Sequence, residues 1–414
     1  MRTRVLLALA VLLPVAVAAS PPPSAGCRRM AARLATLEAR VAEAAALASP
    51  RLLARLARHV ERAQDRCVRL NEIQVIGTHN SYHVEARPAL MSLLLQFEPT
   101  LFETLQYSHL PLDRQLSEQG IRQIELDVFA DPDGGLFARR PVLALVGDPP
   151  ESDRAEMSAP GLKVLHVQDV DFESTCHTFR ACLAVVRAWS DAHPGHLPIM
   201  VLVEAKDDLI PDPLGLGFAV PVQIGPAVLD EIDATIREVF PRRQLLTPDD
   251  VRGRRDTLES AVLEAGWPAL GRARGRVLFA LDNGGRVRDD YRGGRRTLEG
   301  RAMFVSADPS EPDAGFVKEN DPLGDPARIP ALVDAGYVVR TRADADTVQS
   351  RSGDVTQRDA ALASGAQWVS TDYPVADPRF TSYRVELPGG GVARCNPVAS
   401  PAVCRSGALE PGVP

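Results

Sequence analysis

Short, β-branched apolar runs recur along most of this chain with helix-forming stretches between them, and the first four end in side chains that bind metal or move protons. Residues 73–76, 123–128, 163–167 and 199–204 read Ile-Gln-Val-Ile, Gln-Ile-Glu-Leu-Asp-Val, Lys-Val-Leu-His-Val and Ile-Met-Val-Leu-Val-Glu. Such runs suit strands buried on both faces, and each is expected to be a parallel strand. Four more follow at residues 276–281, 302–306, 337–341 and 367–371, with helical stretches at 179–192, 227–240 and 356–364. Eight strands alternating with helices predict an α/β fold of the TIM (β/α)8 barrel type, distorted by insertions, whose chemistry gathers at the C-terminal ends of its strands. The Pro- and Gly-rich connections 211–226 and 308–330 are too long for turns and are expected to be loops around that site.

The chain divides into four expected parts. Arg2 and Arg4 precede an apolar run ending in small residues near 18–20, as in a secretory signal over residues 1–19. Export to the cell exterior or periplasm follows, and no later run approaches the ~20 apolar residues of a membrane span. Residues 20–70 are rich in Ala, Leu, Arg and Glu and broken at Ser49-Pro50, which predicts an N-terminal helical hairpin. Its leucines, among them Leu34, Leu37, Leu47, Leu52, Leu53 and Leu56, are expected to pack on the barrel. Residues 71–386 would form the barrel and residues 387–414 a stapled surface tail. The six cysteines suit disulfides in an exported chain. Of the fifteen possible pairings, proximity favours Cys27 with Cys67, Cys176 with Cys182, and Cys395 with Cys404. The formal charge of −7, more negative once Arg2 and Arg4 are removed, argues against nucleic acid and against broad adhesion to anionic membranes.

On a strand, residues two apart share a face about 6.6 Å apart, so Glu125 and Asp127 both point into the barrel mouth. Carboxylates placed so close require a cation. Asn80 from the first strand end and Glu204 from the fourth complete an all-oxygen set that suits Ca2+, with Mg2+ as the alternative; the absence of His and Cys among them argues against zinc. His79 and His166, at the ends of the first and third strands, are expected to face each other across the metal as general base and general acid. A histidine pair beside an oxygen-bound cation suits cleavage of a phosphodiester. Lys206 shares the inward face with Glu204 and could contact phosphate. Arg340 and Arg342 could clamp a phosphorylated head group, or pair with Asp344 or Asp372. In residues 90–107, Leu93, Leu94, Leu95, Phe97, Leu101, Phe102 and Leu105 would either pack as a helix or form an apolar rim for transient membrane contact.

Gly77-Thr-His-Asn-Ser-Tyr-His83, Tyr107-Ser-His-Leu-Pro-Leu112, Gln115-Leu116, Ile124-Glu-Leu-Asp-Val128, His166 and Val203-Glu-Ala-Lys206 together resemble the calcium-dependent phosphoinositide-specific phospholipase C proteins of secreted bacterial and fungal type. The resemblance runs from about residue 71 to 374. It implies His79 and His166 as the catalytic pair and Asn80, Glu125, Asp127 and Glu204 as calcium ligands. It further implies attack by the inositol 2-hydroxyl of a phosphatidylinositol, giving diacylglycerol and a 1,2-cyclic inositol phosphate. Glu125 or a histidine would take the hydroxyl proton and His166 would act as acid. Residues 365–374 resemble the closing strand of related barrel phosphodiesterases, which would set Asp372 behind the site and Tyr373 in the pocket. A glycerophosphodiester phosphodiesterase is the second enzyme reading, although that family usually begins His-Arg-Gly where this chain has His79-Asn80-Ser81. A catalytically silent lipid or sugar-phosphate binding protein is the reading of another class. No protein partner is predicted.

Overall fold

The structure, a computed structural model, describes residues 22–44 and 49–410; the expected signal segment and Leu47 lie outside the described residues. Among the described residues ten strands are formed: β1 Ile73–Thr78, β2 Gln123–Phe129, β3 Lys163–Val164, β4 Ile199–Ala205, β5 Val277–Leu281, β6 Met303–Val305, β7 Phe316–Lys318, β8 Val338–Arg342, β9 Trp368–Thr371 and β10 Ala393–Cys395. Eight of them lie in the order β6-β5-β4-β2-β1-β9-β8-β7, parallel throughout, and a parallel bridge from Ser306 to Phe316 closes the ring. This is a distorted TIM barrel. β1, β2 and β5 are buried along their whole length, as runs covered by helices outside and by side chains inside must be.

Two strand assignments change. Lys163–Val164 is not a stave: it pairs antiparallel with the end of β2, Val128 opposite Val164. β2 already has β1 and β4 on its two edges, so this short segment can only fold back over its C-terminal end. The missing stave is Phe316–Lys318, inside a stretch whose proline- and glycine-rich sequence reads as loop; three residues carry too little periodicity to register as a strand.

The helices follow their patterns closely. Phe179–Ala192 starts where the Thr178 side chain accepts from the Ala181 N–H, and it buries Phe179, Leu183 and Val186 at helical spacing. Helices Ala25–Ala44 and Pro50–Cys67 form the hairpin, joined by a Cys27–Cys67 disulfide with Cα atoms 5.6 Å apart. Cys176–Cys182 and Cys395–Cys404 are the other two disulfides. Leu34 and Leu37 are buried, whereas Leu53 is exposed. The hairpin docks where chain enters the strands: Leu270 N–H donates to Val68 O, and Arg274, just before β5, pairs with Asp65. It therefore sits at the N-terminal pole of the barrel.

The C-terminal tail is more than a surface segment. β10 pairs antiparallel with β1, Ile73 opposite Cys395, and farther on Glu410 forms an ion pair with Arg122, whose side chain is fully buried. A buried guanidinium must keep its counter-charge, so the tail is tied to the core.

Gly77 lies in β1 beside Gln123 of β2, and a Cβ there would come within 2.7 Å of the Gln123 Cβ. Gly77→Ala should destabilise the fold by about 1–3 kcal/mol in urea unfolding, the cost of overpacking a tight core.

Candidate active site

The turn after β1 sets the first two site residues. His79 N–H donates to Thr371 O, Ser81 N–H to Glu125 O, and the Ser81 hydroxyl accepts from Glu125 N–H at 2.8 Å. Gln115 locks the turn by accepting from Thr78 Oγ1 and donating to Ser81 O. Between them Asn80 takes φ 43°, a left-handed conformation that asparagine tolerates better than most residues. Its Nδ2 donates to the Tyr107 hydroxyl at 3.1 Å, while its Oδ1 is buried with no hydrogen-bond partner.

Asp127 and Glu204 stand opposite each other on the paired strands β2 and β4, and Glu125 lies two residues before Asp127. One oxygen from each of the three falls within 4.8 Å of the others. Neither Asp127 oxygen has a hydrogen-bond donor, and Lys206 Nζ approaches only to 3.5 Å from Asp127 and 3.6 Å from Glu204. Glu125 Oε2 accepts from Arg340 at 2.6 Å. Burial pushes the Glu125 carboxyl up to about 7, and burial together with Glu204 pushes Asp127 well above the carboxylate range. Burial works to discharge Lys206, but Asp127 and Glu204 outweigh it and hold the ammonium on. Buried carboxylates with unpaired oxygens beside an orphaned amide oxygen make a donor set that fits a hard, oxygen-seeking cation such as Ca2+.

Each histidine is oriented by its own aspartate. His79 Nδ1 lies 2.8 Å from Asp372 Oδ1, and its Nε2 faces Glu125 Oε1 at 3.7 Å and Arg342 Nη1 at 3.4 Å. Burial, then the Arg342 charge, lowers the His79 pKa to about 3, so the ring is neutral. Burial opposes ionisation of Asp372, but the Arg342 charge and the hydrogen bond with His79 outweigh it and hold it below the usual carboxylate range. His166 leaves the folded-back β3, not a barrel stave, and its Nδ1 lies 2.7 Å from Asp171 Oδ2. Asp171 is fully buried and also meets His83 Nε2 at 2.9 Å; His83 stacks on Tyr107 with ring centres 4.2 Å apart. Contacts thus run from His166 through Asp171, His83 and Tyr107 to Asn80.

The other expected site residues take varied places. Lys206 lies within the carboxylate cluster. Arg340 is buried, held by Glu125, Ser370 and Asn320, whereas Arg342 pairs with Asp372 at 3.0 Å beside His79. Tyr373 is buried and donates to Gln106 O. His83 and Tyr107 stand inside the quoted motifs but carried no assigned role; Asp171, five residues after His166 on an irregular turn, had no sequence signal. In the 90–107 segment Leu90, Leu94 and Leu105 pack inward while Leu95 and Phe97 remain exposed.

Asp127→Asn should abolish Ca2+-induced thermal stabilisation yet melt in chelator no lower than the parent, because it relieves the crowding of three buried carboxylates and leaves Glu204 to pair with Lys206.

A family model described as Phosphoinositide phospholipase C, Ca2+-dependent, matches residues 68–397. That description gives no support to the Mg2+ alternative. Among solved structures the chain is similar to a calcium-dependent phosphoinositol-specific phospholipase C from a Gram-negative Pseudomonas sp. In its apo crystal form 2 the identity is 17%, covering 80% of this chain and 96% of that one, with a TM-score of 0.49. For the myoinositol complex the values are 18%, 81%, 97% and 0.49. A Ca2+-dependent phosphatidylinositol-specific phospholipase C from Streptomyces antibioticus gives 19%, 74%, 95% and 0.43. Curated proteins give no match.

Proposed function

The chain belongs to the Ca2+-dependent phosphoinositide phospholipase C family, and from that premise we propose that it is an exported phosphodiesterase that cleaves phosphatidylinositol, or a related inositol phosphodiester, to diacylglycerol and inositol 1,2-cyclic phosphate. The observation that carries this reading is the pairing of an oxygen cage, with orphaned Asn80 and Asp127 oxygens, to two aspartate-oriented histidines.

Asn80, Glu125, Asp127 and Glu204 would hold the Ca2+, which when bound neutralises phosphate charge and acidifies the attacking hydroxyl. His79 is neutral, Asp372 fixes its Nδ1 as the protonated nitrogen, and its Nε2 is left to accept the 2-hydroxyl proton, with Glu125 as the neighbouring acceptor. Arg342, beside His79 Nε2, is placed to meet a phosphoryl oxygen, and Lys206 can turn from Asp127 and Glu204 toward the same charge. Arg340 acts through Glu125, holding one oxygen so that the other faces the site. Asp171 takes His166 Nδ1 and leaves Nε2 free for substrate, the arrangement of a general acid that protonates the diacylglycerol oxygen. Tyr373 would act only at the edge of the pocket.

Large exposed apolar side chains cluster in the connections that leave the C-terminal ends of the staves: Phe97 at 63% exposure and Leu209 at 67%, with Leu95, Leu214 and Val220. They support transient contact with the substrate-bearing membrane at the mouth. Three disulfides support export, and among the described residues no helix is long and apolar enough to cross a membrane.

Incubation of the mature protein with phosphatidylinositol and Ca2+, followed by phosphorus NMR, should yield the cyclic inositol phosphate, and chelator should stop it. Release of glycerol phosphate from glycerophosphodiesters with no turnover of phosphatidylinositol would overturn the reading. His79→Ala and His166→Ala should each lower kcat by about 10²–10⁴. Phe97→Ser with Leu209→Ser should raise the apparent KM on vesicles while leaving turnover of a water-soluble inositol phosphodiester within about twofold.

A further inference from the structure

The net charge of this chain conceals a segregation. Helices Ala25–Ala44 and Pro50–Cys67 carry nine arginines against four carboxylates, in a chain whose formal charge is −7. Two of those carboxylates are already engaged elsewhere, Glu38 by Arg405 and Asp65 by Arg274. All nine arginines are exposed, and none makes an ion pair among the described residues. Arg51, Arg55, Arg58, Arg62 and Arg66 recur at helical spacing and form one stripe along Pro50–Cys67, opposite its buried Val60, Ala63 and Cys67. The stripe is about 22 Å long at 1.5 Å per residue. On the antiparallel helix Arg29, Arg33 and Arg40 form a second stripe. The two meet in an open cleft of about 650 Å³ lined by Arg29, Arg33, His59, Arg62 and Arg66. Like charges three and four residues apart repel, so the hairpin bears an unfavourable field that an anion would relieve.

We propose that this arginine-striped hairpin is a docking surface for a linear anionic polysaccharide. It lies at the N-terminal pole, packed against the segment leading into β5, whereas His79 and Glu204 lie at the opposite ends of the staves. A bilayer presenting substrate to the mouth cannot lie against the hairpin as well. Lipid insertion also needs an apolar flank, and Leu53 is the sole large exposed apolar side chain on the hairpin among the described residues. Residues 22–67 contain no Phe, Trp or Tyr, the stacking platforms that single-stranded nucleic acid uses. An extended line of guanidiniums instead matches a chain of regularly spaced sulfate or carboxylate groups outside the cell. The hairpin then tethers the protein to an anionic matrix and leaves the mouth free.

Immobilised heparin tests this with the full mature chain. The protein should be retained at about 0.15 M salt and released by more. Arg55→Glu, Arg62→Glu and Arg66→Glu together should weaken heparin binding about tenfold or more. An equal charge change on the barrel, Arg254→Glu, Arg295→Glu and Arg296→Glu, should stay within about twofold. Arg62→Gln with Arg66→Gln, which only removes charge and should fold normally, should weaken it about threefold. Turnover of phosphatidylinositol should be unchanged in every variant. No retention, equal loss in the hairpin and barrel variants, or tighter binding to duplex DNA or to phosphatidylglycerol vesicles than to heparin at matched charge would overturn the proposal.

Discussion

Asp127 and Glu204 sit side by side on two hydrogen-bonded staves, with Glu125 one pleat below, and the protein itself brings too little positive charge to balance them. Lys206 reaches Asp127 and Glu204 only at 3.5–3.6 Å, and Arg340 is spent on Glu125. Taking carboxylates out of water is costly unless they are paired, and the strained pKa values of Glu125 and Asp127 record that cost. The barrel supplies rigidity enough to keep the three carboxylates together despite it. Everything else at the mouth is arranged around that cluster.

The turn after β1 does two jobs because it is pinned from three sides. Ser81 and Gln115 tie it to β2 and to the helix Leu112–Glu118, and the φ of 43° at Asn80 turns the amide inward while His79 remains on Asp372. The second histidine is held differently. Its support, Asp171, is shared with the fully buried His83, which rests on Tyr107, the same side chain that takes the Asn80 amide. Asn80 and His166 are therefore mechanically linked through two rings and a carboxylate, and a change at any of them is felt at the others.

The sequence made the carboxylates, the histidines and Asn80 legible because each stands at or beside a run of strand periodicity, where side-chain direction follows from counting. The same logic found seven of the eight staves, and closeness in sequence found all three disulfides. It failed where length or geometry removed the signal. Phe316–Lys318 is three residues long, and Lys163–Val164 has strand-like composition but runs antiparallel because β2 has no free edge for a parallel neighbour. Asp171 lies on an irregular turn, where spacing says nothing about direction. Arg340 and Arg342, two residues apart on β8, suit either one clamp or pairing with Asp344 or Asp372; Arg340 is buried on Glu125, and Arg342 pairs with Asp372 beside His79. The tail, too, has no periodic pattern, and only the three-dimensional fold brings Glu410 to the buried Arg122.

The proposed function requires one calcium site built from the chain's own oxygens. Calorimetric titration of the mature protein with Ca2+ after chelator treatment measures it directly. The expected result is one ion per chain, lost in Asp127→Asn and not reproduced by Mg2+ at equal concentration, since the larger cation suits a many-oxygen cage without retained waters. No saturable heat with Ca2+, or equal binding by the parent and the Asp127→Asn variant, would contradict it.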